Sequence, residues 1–150
     1  MLDESLRLLD RLWSGDKVTH HGSHYVVEGV ALAPLPLQKP RIPVWIGGDG
    51  PAPLRRAARW DGWIVGVAGQ AGEITLGQAE LAARVETIRQ QRTNPEPFEV
   101  AVMGQSEAGD RTIPEAYAAA GATWWLEMLH GSRGPPEDML ARIRAGPSSR

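Results

Sequence analysis

KPRIPVWIGGDGPAPLRRAARWDGW, Lys39 to Trp63, is the stretch on which the fold turns. Pro43-Val44-Trp45-Ile46 is a short apolar run of the kind that forms a buried strand. It enters Gly47-Gly48-Asp49-Gly50, and a helix is predicted from Pro51 to Trp60, with Pro51 suited to a first helical turn because it has no N–H to lose there. Gly62 then opens a second strand, running to Val67. Strand, glycine turn, helix and strand within so few residues is the beginning of an α/β alternation.

Downstream the alternation continues. A helix is predicted from about Gln78 to Arg92, with Leu81, Val85 and Ile88 on its inner face and Arg, Glu and Gln outward. Phe98 to Met103 reads as a third strand. Thr112-Ile113-Pro114-Glu115 has the spacing of a capping box for a helix ending at Gly121, and Ala122 to Met128 is the fourth strand. A last helix starts at Pro135-Pro136, is expected to bury Met139, Leu140 and Ile143, and stops at Gly146-Pro147. The order is βαβαβαβα, which implies parallel strands joined by right-handed crossovers. Either an open doubly wound sheet or a (β/α)8 barrel accommodates it, and four units are half of what a barrel needs.

Upstream the pattern differs. Leu2, Leu6, Leu9 and Trp13 recur at helical spacing, with Asp3 and Glu4 in the first turn where the helix dipole favours them. Lys17 to His20 and His24 to Val27 flank His21-Gly22-Ser23 as a small hairpin. Ala31 to Pro43 holds Pro34, Pro36, Pro40 and Pro43 and must be an extended linker. Residues 1–41 are thus an excursion and 42–150 the βα units, in one predicted domain.

Bulk properties narrow the function. With 42% hydrophobic and 23% charged residues the 150-residue chain has the composition of a folded, soluble domain. A net charge of −2, with Arg scattered among acids, leaves no footprint for nucleic acid or an anionic membrane, so a small organic molecule is the expected partner. The absence of cysteine excludes disulfides and thiolate chemistry. No leader or membrane span is read, and cytoplasm is the expected compartment.

Several residues invite chemistry. Gly47, Gly48 and Gly50 lie between a strand and a helix, where backbone amides can approach an anion, although the same glycines would also serve a simple tight turn, and Asp49 opposes an anion. In Thr123-Trp124-Trp125-Leu126-Glu127-Met128, Trp124, Leu126 and Met128 share one face and Trp125 and Glu127 the other. The wholly apolar set is expected to pack under helices, leaving Glu127 inward with a raised pKa as a candidate acid or base, against the alternative of a structural partner for an Arg or a backbone donor. His130, just past that strand, is the other candidate catalytic residue. His20, His21 and His24 lack a completing carboxylate or cysteine, so no metal is assigned. Most of the six tryptophans lie on strands or helix faces and are read as core.

Taken together, P-R-I-P-V-W-I-G-G followed by R-R-A-A-R-W-D-G-W resembles the segment spanning the fifth and sixth strands of luciferase-like monooxygenases. L-D-E-S-L-R-L-L-D-R-L-W-S-G, H-G-S-H-Y and P-L-P-L-Q-K-P are similar to that family's helix and excursion before the fifth strand. A-G-A-T-W-W-L-E and R-I-R-A-G-P are similar to its last strand and closing helix. The resemblance implies the C-terminal half of a (β/α)8 barrel in an oxidoreductase or monooxygenase that uses flavin mononucleotide (FMN) or the deazaflavin coenzyme F420. It implies cofactor contacts at Gly47 and Gly48 first and at Ile64, Val65 and Gly66 second. Asp49 departs from the neutral residue expected beside a phosphate unless Arg55 or Arg56 offsets it. Residues that contact the ring and substrate come mostly from strands with no counterpart here, so the catalytic groups stay unassigned and an oligomer or a complementary half is expected. The alternative is a non-catalytic half-barrel partner module or a truncated relic.

Overall fold

A computed structural model of the chain describes residues 1–69 and 72–147. Two compact units are seen, one over Met1–Pro43 and one from Val44 onward. The first holds helix α1 (Leu2–Leu12) and an antiparallel hairpin of β1 (Val18–His21) and β2 (Val26–Val30). Its second strand begins two residues later than expected from sequence. The hairpin turn is built around Glu4 of α1, whose carboxylate accepts from the amides of His24 and Tyr25 at 3.2 and 3.1 Å and faces Nε2 of His20 at 3.0 Å. A Cβ at Gly22 would fall 1.8 Å from a Glu4 oxygen, so only glycine leaves room for this contact. The His20 contact, with the two amides in support, holds the Glu4 carboxyl at about 2, below its ordinary 4.5.

The second unit runs β3 (Trp45–Gly47), α2 (Pro51–Ala57), β4 (Gly62–Gly66), α3 (Gln78–Gln91), β5 (Glu99–Gly104), α4 (Thr112–Ala119), β6 (Trp124–Glu127) and α5 (Pro136–Ala145). The four strands are hydrogen-bonded in the order β3-β4-β5-β6, all parallel. This is the partial (β/α)8 architecture that the family resemblance implies, one of the two that the alternation allows. Sequential strands lie side by side, the arrangement that short connections favour.

Register assigns the faces. Ile46, Trp63 and Val100 stand level, then Val65, Val102 and Trp125, then Gly104 and Glu127, and these share one face. Helices cover it. Leu81, Val85 and Ile88 of α3 are at most 1% exposed, and Trp63 and Val102 beneath them are sealed. Each such side chain contributes roughly 1.5–3 kcal/mol by leaving water. The opposite face carries Trp45, Ile64, Ala101, Met103, Trp124 and Leu126.

Three local expectations change. The capping box at Thr112 does not form: Thr112 is the first helical residue, its amide donates to Asp110 Oδ1 at 2.8 Å, and Glu115 pairs with Arg111 at 2.6 Å. A carboxylate two residues upstream reaches the free amide without helical geometry, so it displaces the hydroxyl. Helix α5 buries none of its residues, with Leu140 45% and Ile143 59% exposed, because no strand among the described residues lies beyond β6 to receive them. Trp124, read as core, is 50% exposed for the same reason.

Candidate functional site

The carboxyl ends of parallel strands are where α/β folds place ligands, because loops and helix starts converge there. In this chain those ends are Gly47, Gly66, Gly104 and Glu127.

At β3 the turn takes its shape from Gly48, which has φ +98, in the region that disfavours a side chain. A Cβ there would also stand 3.1 Å from Pro53 Cγ. Trp63 fixes the turn from below, its indole Nε1 donating to the Gly48 carbonyl at 2.7 Å. Gly47 and Gly48 are exposed, and a Cβ on Gly47 would meet nothing nearer than Ile64 Cγ2 at 3.8 Å. Pro51 and Pro53 remove two N–H groups, so any anion held here depends on the turn's own amides more than on α2. The charge of Asp49 is met by Arg84 of α3, Nη2 to Oδ2 3.8 Å, in place of the Arg55 or Arg56 that proximity in sequence suggests. Arg84 Nη1 is buried with no hydrogen-bond partner among the described residues. Exposed glycines beside an Asp49 whose charge is offset by a guanidinium fit a phosphate group, and Arg84 was missed in sequence because it lies 35 residues beyond Asp49 on another helix.

Next along the edge, Ile64 and Gly66 present to the open face, level with Gly47 and with Met103 and Leu126 respectively. Val65 points the other way and is 6% exposed under the helices, so its backbone alone reaches the rim.

At the far end, the structure reverses the expected orientation of Glu127. Trp125 and Glu127 lie on the helix-covered face: Trp125 packs against Tyr117 of α4 with ring centroids 5.6 Å apart and overlies Gly104, where a Cβ would fall 2.2 Å from its ring. Trp124 and Leu126 take the open face. Tyr117 is itself sealed, its hydroxyl donating to Leu76 O at 2.6 Å, and burial raises its pKa.

Glu127 is surrounded by donors. Ser106 contributes its amide at 2.9 Å and its hydroxyl at 2.6 Å, Trp125 Nε1 is at 3.0 Å, Arg133 pairs directly, and Arg142 Nη2 is 3.6 Å away. Burial pushes the carboxyl up, but the Ser106, Trp125 and Arg133 hydrogen bonds to the ionised form outweigh it and the net direction is down. The raised pKa expected of an inward acid is therefore not found. Arg133 also donates to the carbonyls of Met128, at 2.9 Å, and of Ser106, so one guanidinium ties the loops after β5 and β6 together.

His130 is likewise held at both ring nitrogens, Nδ1 2.7 Å from Ser132 Oγ and Nε2 3.0 Å from Gln105 Nε2. A cavity of about 570 Å³ opens beside this network, lined by Gln105, Ser106, Asp110, Arg133, Met139 and Arg142. The hairpin imidazoles are directed to separate carboxylates, His20 to Glu4 and His21 to Glu28. No helix among the described residues is long and apolar enough to cross a membrane.

Comparison with known proteins adds three findings. A family model described as luciferase-like monooxygenase matches residues 1–145. Uncharacterized proteins of Mycobacterium tuberculosis and Mycobacterium bovis are 36% identical over 102 residues, covering 68% of this chain and 33% of each relative. An F420-dependent glucose-6-phosphate dehydrogenase of Microbacterium testaceum is 38% identical over 58 residues, 39% of this chain and 17% of that protein. The chain's matched part thus spans about a third of the length of the mycobacterial relatives and less of the dehydrogenase.

Proposed function

The chain belongs to the luciferase-like monooxygenase family, and on that premise we propose that it is the C-terminal half of a flavin- or deazaflavin-dependent oxidoreductase barrel, with residues 1–41 as an excursion and 42–150 as its βα units. The observation that carries this reading is the exposed Gly47-Gly48 turn at the carboxyl end of a parallel strand, with Arg84 beside it. F420 is favoured over FMN by the F420-dependent dehydrogenases among the relatives. A bound reduced deazaflavin would supply a hydride, and a reduced flavin would supply a hydride or activate oxygen.

This chain's own part is to bind and orient. The amides of Gly47 and Gly48 hold the phosphate, with Arg84 offsetting the charge of Asp49 beside it, while Ile64, Gly66 and the backbone of Val65 line the wall next to it. Proton transfer to a small organic substrate falls to groups outside this half, since Glu127 is held ionised by its donors and His130 is engaged at both nitrogens. The same internal satisfaction favours a second reading, a partner module that performs no redox chemistry itself. The compartment consistent with either is the cytoplasm.

Titration of the purified chain with F420 and separately with FMN, followed by fluorescence, tests the proposal. Gly47→Asp is the informative variant because its side chain has space, unlike one at the positive φ of Gly48. A like charge placed at the phosphate should weaken binding about tenfold or more. Saturable binding lost in the variant supports the cofactor site. Absence of binding by folded protein supports the partner module.

A further inference from the structure

Trp63 is sealed beneath the helices, yet it carries a polar group that a purely apolar side chain would not bring there. Its Nε1–H donates to the Gly48 carbonyl at 2.7 Å, which satisfies a donor that is costly to bury alone. The far side of the turn is set by the same bond. The Gly48–Asp49 peptide is trans, and a trans peptide is planar with its C=O and N–H directed oppositely. Drawing the Gly48 carbonyl toward Trp63 therefore turns the Asp49 N–H away from the covered interior and toward the exposed rim. The amides of Gly48, Asp49 and Gly50 donate to no backbone carbonyl among the described residues, so the Asp49 N–H is not consumed within the turn.

Gly48 does not enforce this orientation by itself. With φ +98 and no side chain, it tolerates either orientation of the peptide that follows. A flip would exchange the Asp49 N–H for the Gly48 carbonyl oxygen at the rim, replacing a donor by a partial negative charge. For an anion the two orientations have opposite sign. Resting on the phosphate-turn reading above, we propose that Trp63 is a positioning residue for that site: its indole N–H holds the Gly48 carbonyl inward and so presents the Asp49 amide as a donor to a phosphate group. The side chain of Asp49 works against an anion and its backbone works for one, with Arg84 Nη2 3.8 Å from the carboxylate reducing the first effect. Substitutions at this position can therefore separate the charge from the amide.

The test is a titration of the isotope-labelled chain with inorganic phosphate at constant ionic strength, read at the backbone amides by NMR. Saturable shifts that include the Asp49 amide are expected. Trp63→Phe keeps an aromatic ring in the core and removes the donor, and it should weaken phosphate binding about tenfold, the worth of a hydrogen bond to a charged group. Val102→Ala truncates a sealed side chain of the same covered core that makes no bond to the turn, so it controls for lost stability and should leave phosphate affinity within about twofold. Asp49→Asn removes the charge and keeps the amide, and should bind phosphate at least as well as the parent. Asp49→Pro removes both, at an amide with no backbone partner, and should bind about tenfold less tightly than Asp49→Asn. Equal binding by Trp63→Phe and the parent overturns the inference, as does an equal loss in Val102→Ala, equal binding by the two Asp49 variants, or a parent without phosphate shifts at this turn. Should Trp63→Phe not fold, the Asp49 pair and the parent's Trp63 indole proton decide, and an indole proton that exchanges freely with water overturns the inference. Cofactor titration reads separately: phosphate binding with neither F420 nor FMN bound sinks the proposed oxidoreductase and spares the role of Trp63, whereas F420 binding unchanged in Trp63→Phe does the reverse.

Discussion

The two faces of the four-strand sheet are made from the same strands and have opposite fates. On one, Trp63, Val67, Val100 and Val102 are at most 2% exposed beneath α2, α3 and α4. On the other, Trp124 is 50% exposed, and Trp45 and Trp124 cover the middle strands by lying over residues that leave room for them. Composition does not separate the faces, since each carries tryptophan and aliphatic side chains. What separates them is that the strands are added in one direction, β3-β4-β5-β6, so that crossovers of one hand put every connecting helix on the same side. The helix-covered face is therefore closed over β3, β4 and β5, while the opposite face and the outer helix α5 keep exposed apolar side chains.

Replacing one tryptophan on each face is the strongest way to break this comparison. Trp63→Ala should cost about 4 kcal/mol, because it empties a sealed site and removes the bond that pins the Gly48 carbonyl. Urea unfolding measures it, and a cost below about 1 kcal/mol would mean that the covered face is not the core. Next in size, Arg133→Ala should cost about 2 kcal/mol by releasing charge-assisted bonds to Glu127 and to two carbonyls. It has a signature in pH. The folded-state pKa of Glu127 is depressed, so its contribution is present above the ordinary carboxylate value of 4.5 and is lost as pH falls through the lower folded value. Unfolding free energies between pH 7 and pH 3 should show a weaker acid loss in Arg133→Ala than in the parent; an unchanged slope would dissociate Glu127 from the clasp. Smallest is Trp124→Ala, about 1 kcal/mol in dilute protein, given half burial and one bond to Glu99.

Much of the architecture was legible in the residues. Leu81, Val85 and Ile88 announce the buried stripe of α3 by spacing alone, and the Gly47-Gly48 turn sits at a strand end as its sequence indicates. Alternation of short apolar runs with amphipathic helices leaves few topologies, and the parallel order β3-β4-β5-β6 follows from it. The candidate site was less legible. Arg84 reaches Asp49 from another helix, and Ser106 and Arg133 reach Glu127 from two different loops, contacts that no local pattern encodes. The stripe of α5 was readable as amphipathic, but its exposure was not, because periodicity reports which residues seek cover and says nothing of whether a neighbour exists.

The orientation of β6 shows where the division lies. From Trp124-Trp125-Leu126-Glu127 the residues by themselves determine that a strand forms and which side chains travel together, because a strand alternates with period two. Which set turns inward was decided only in three dimensions, where Gly104 offers the space that the Trp125 ring fills and Ser106, Arg133 and Arg142 assemble the donors that Glu127 needs on the helix side. Alternation is a property of the backbone and is written locally, whereas the choice between two faces is a difference in solvation and pairing set by groups distant in the chain.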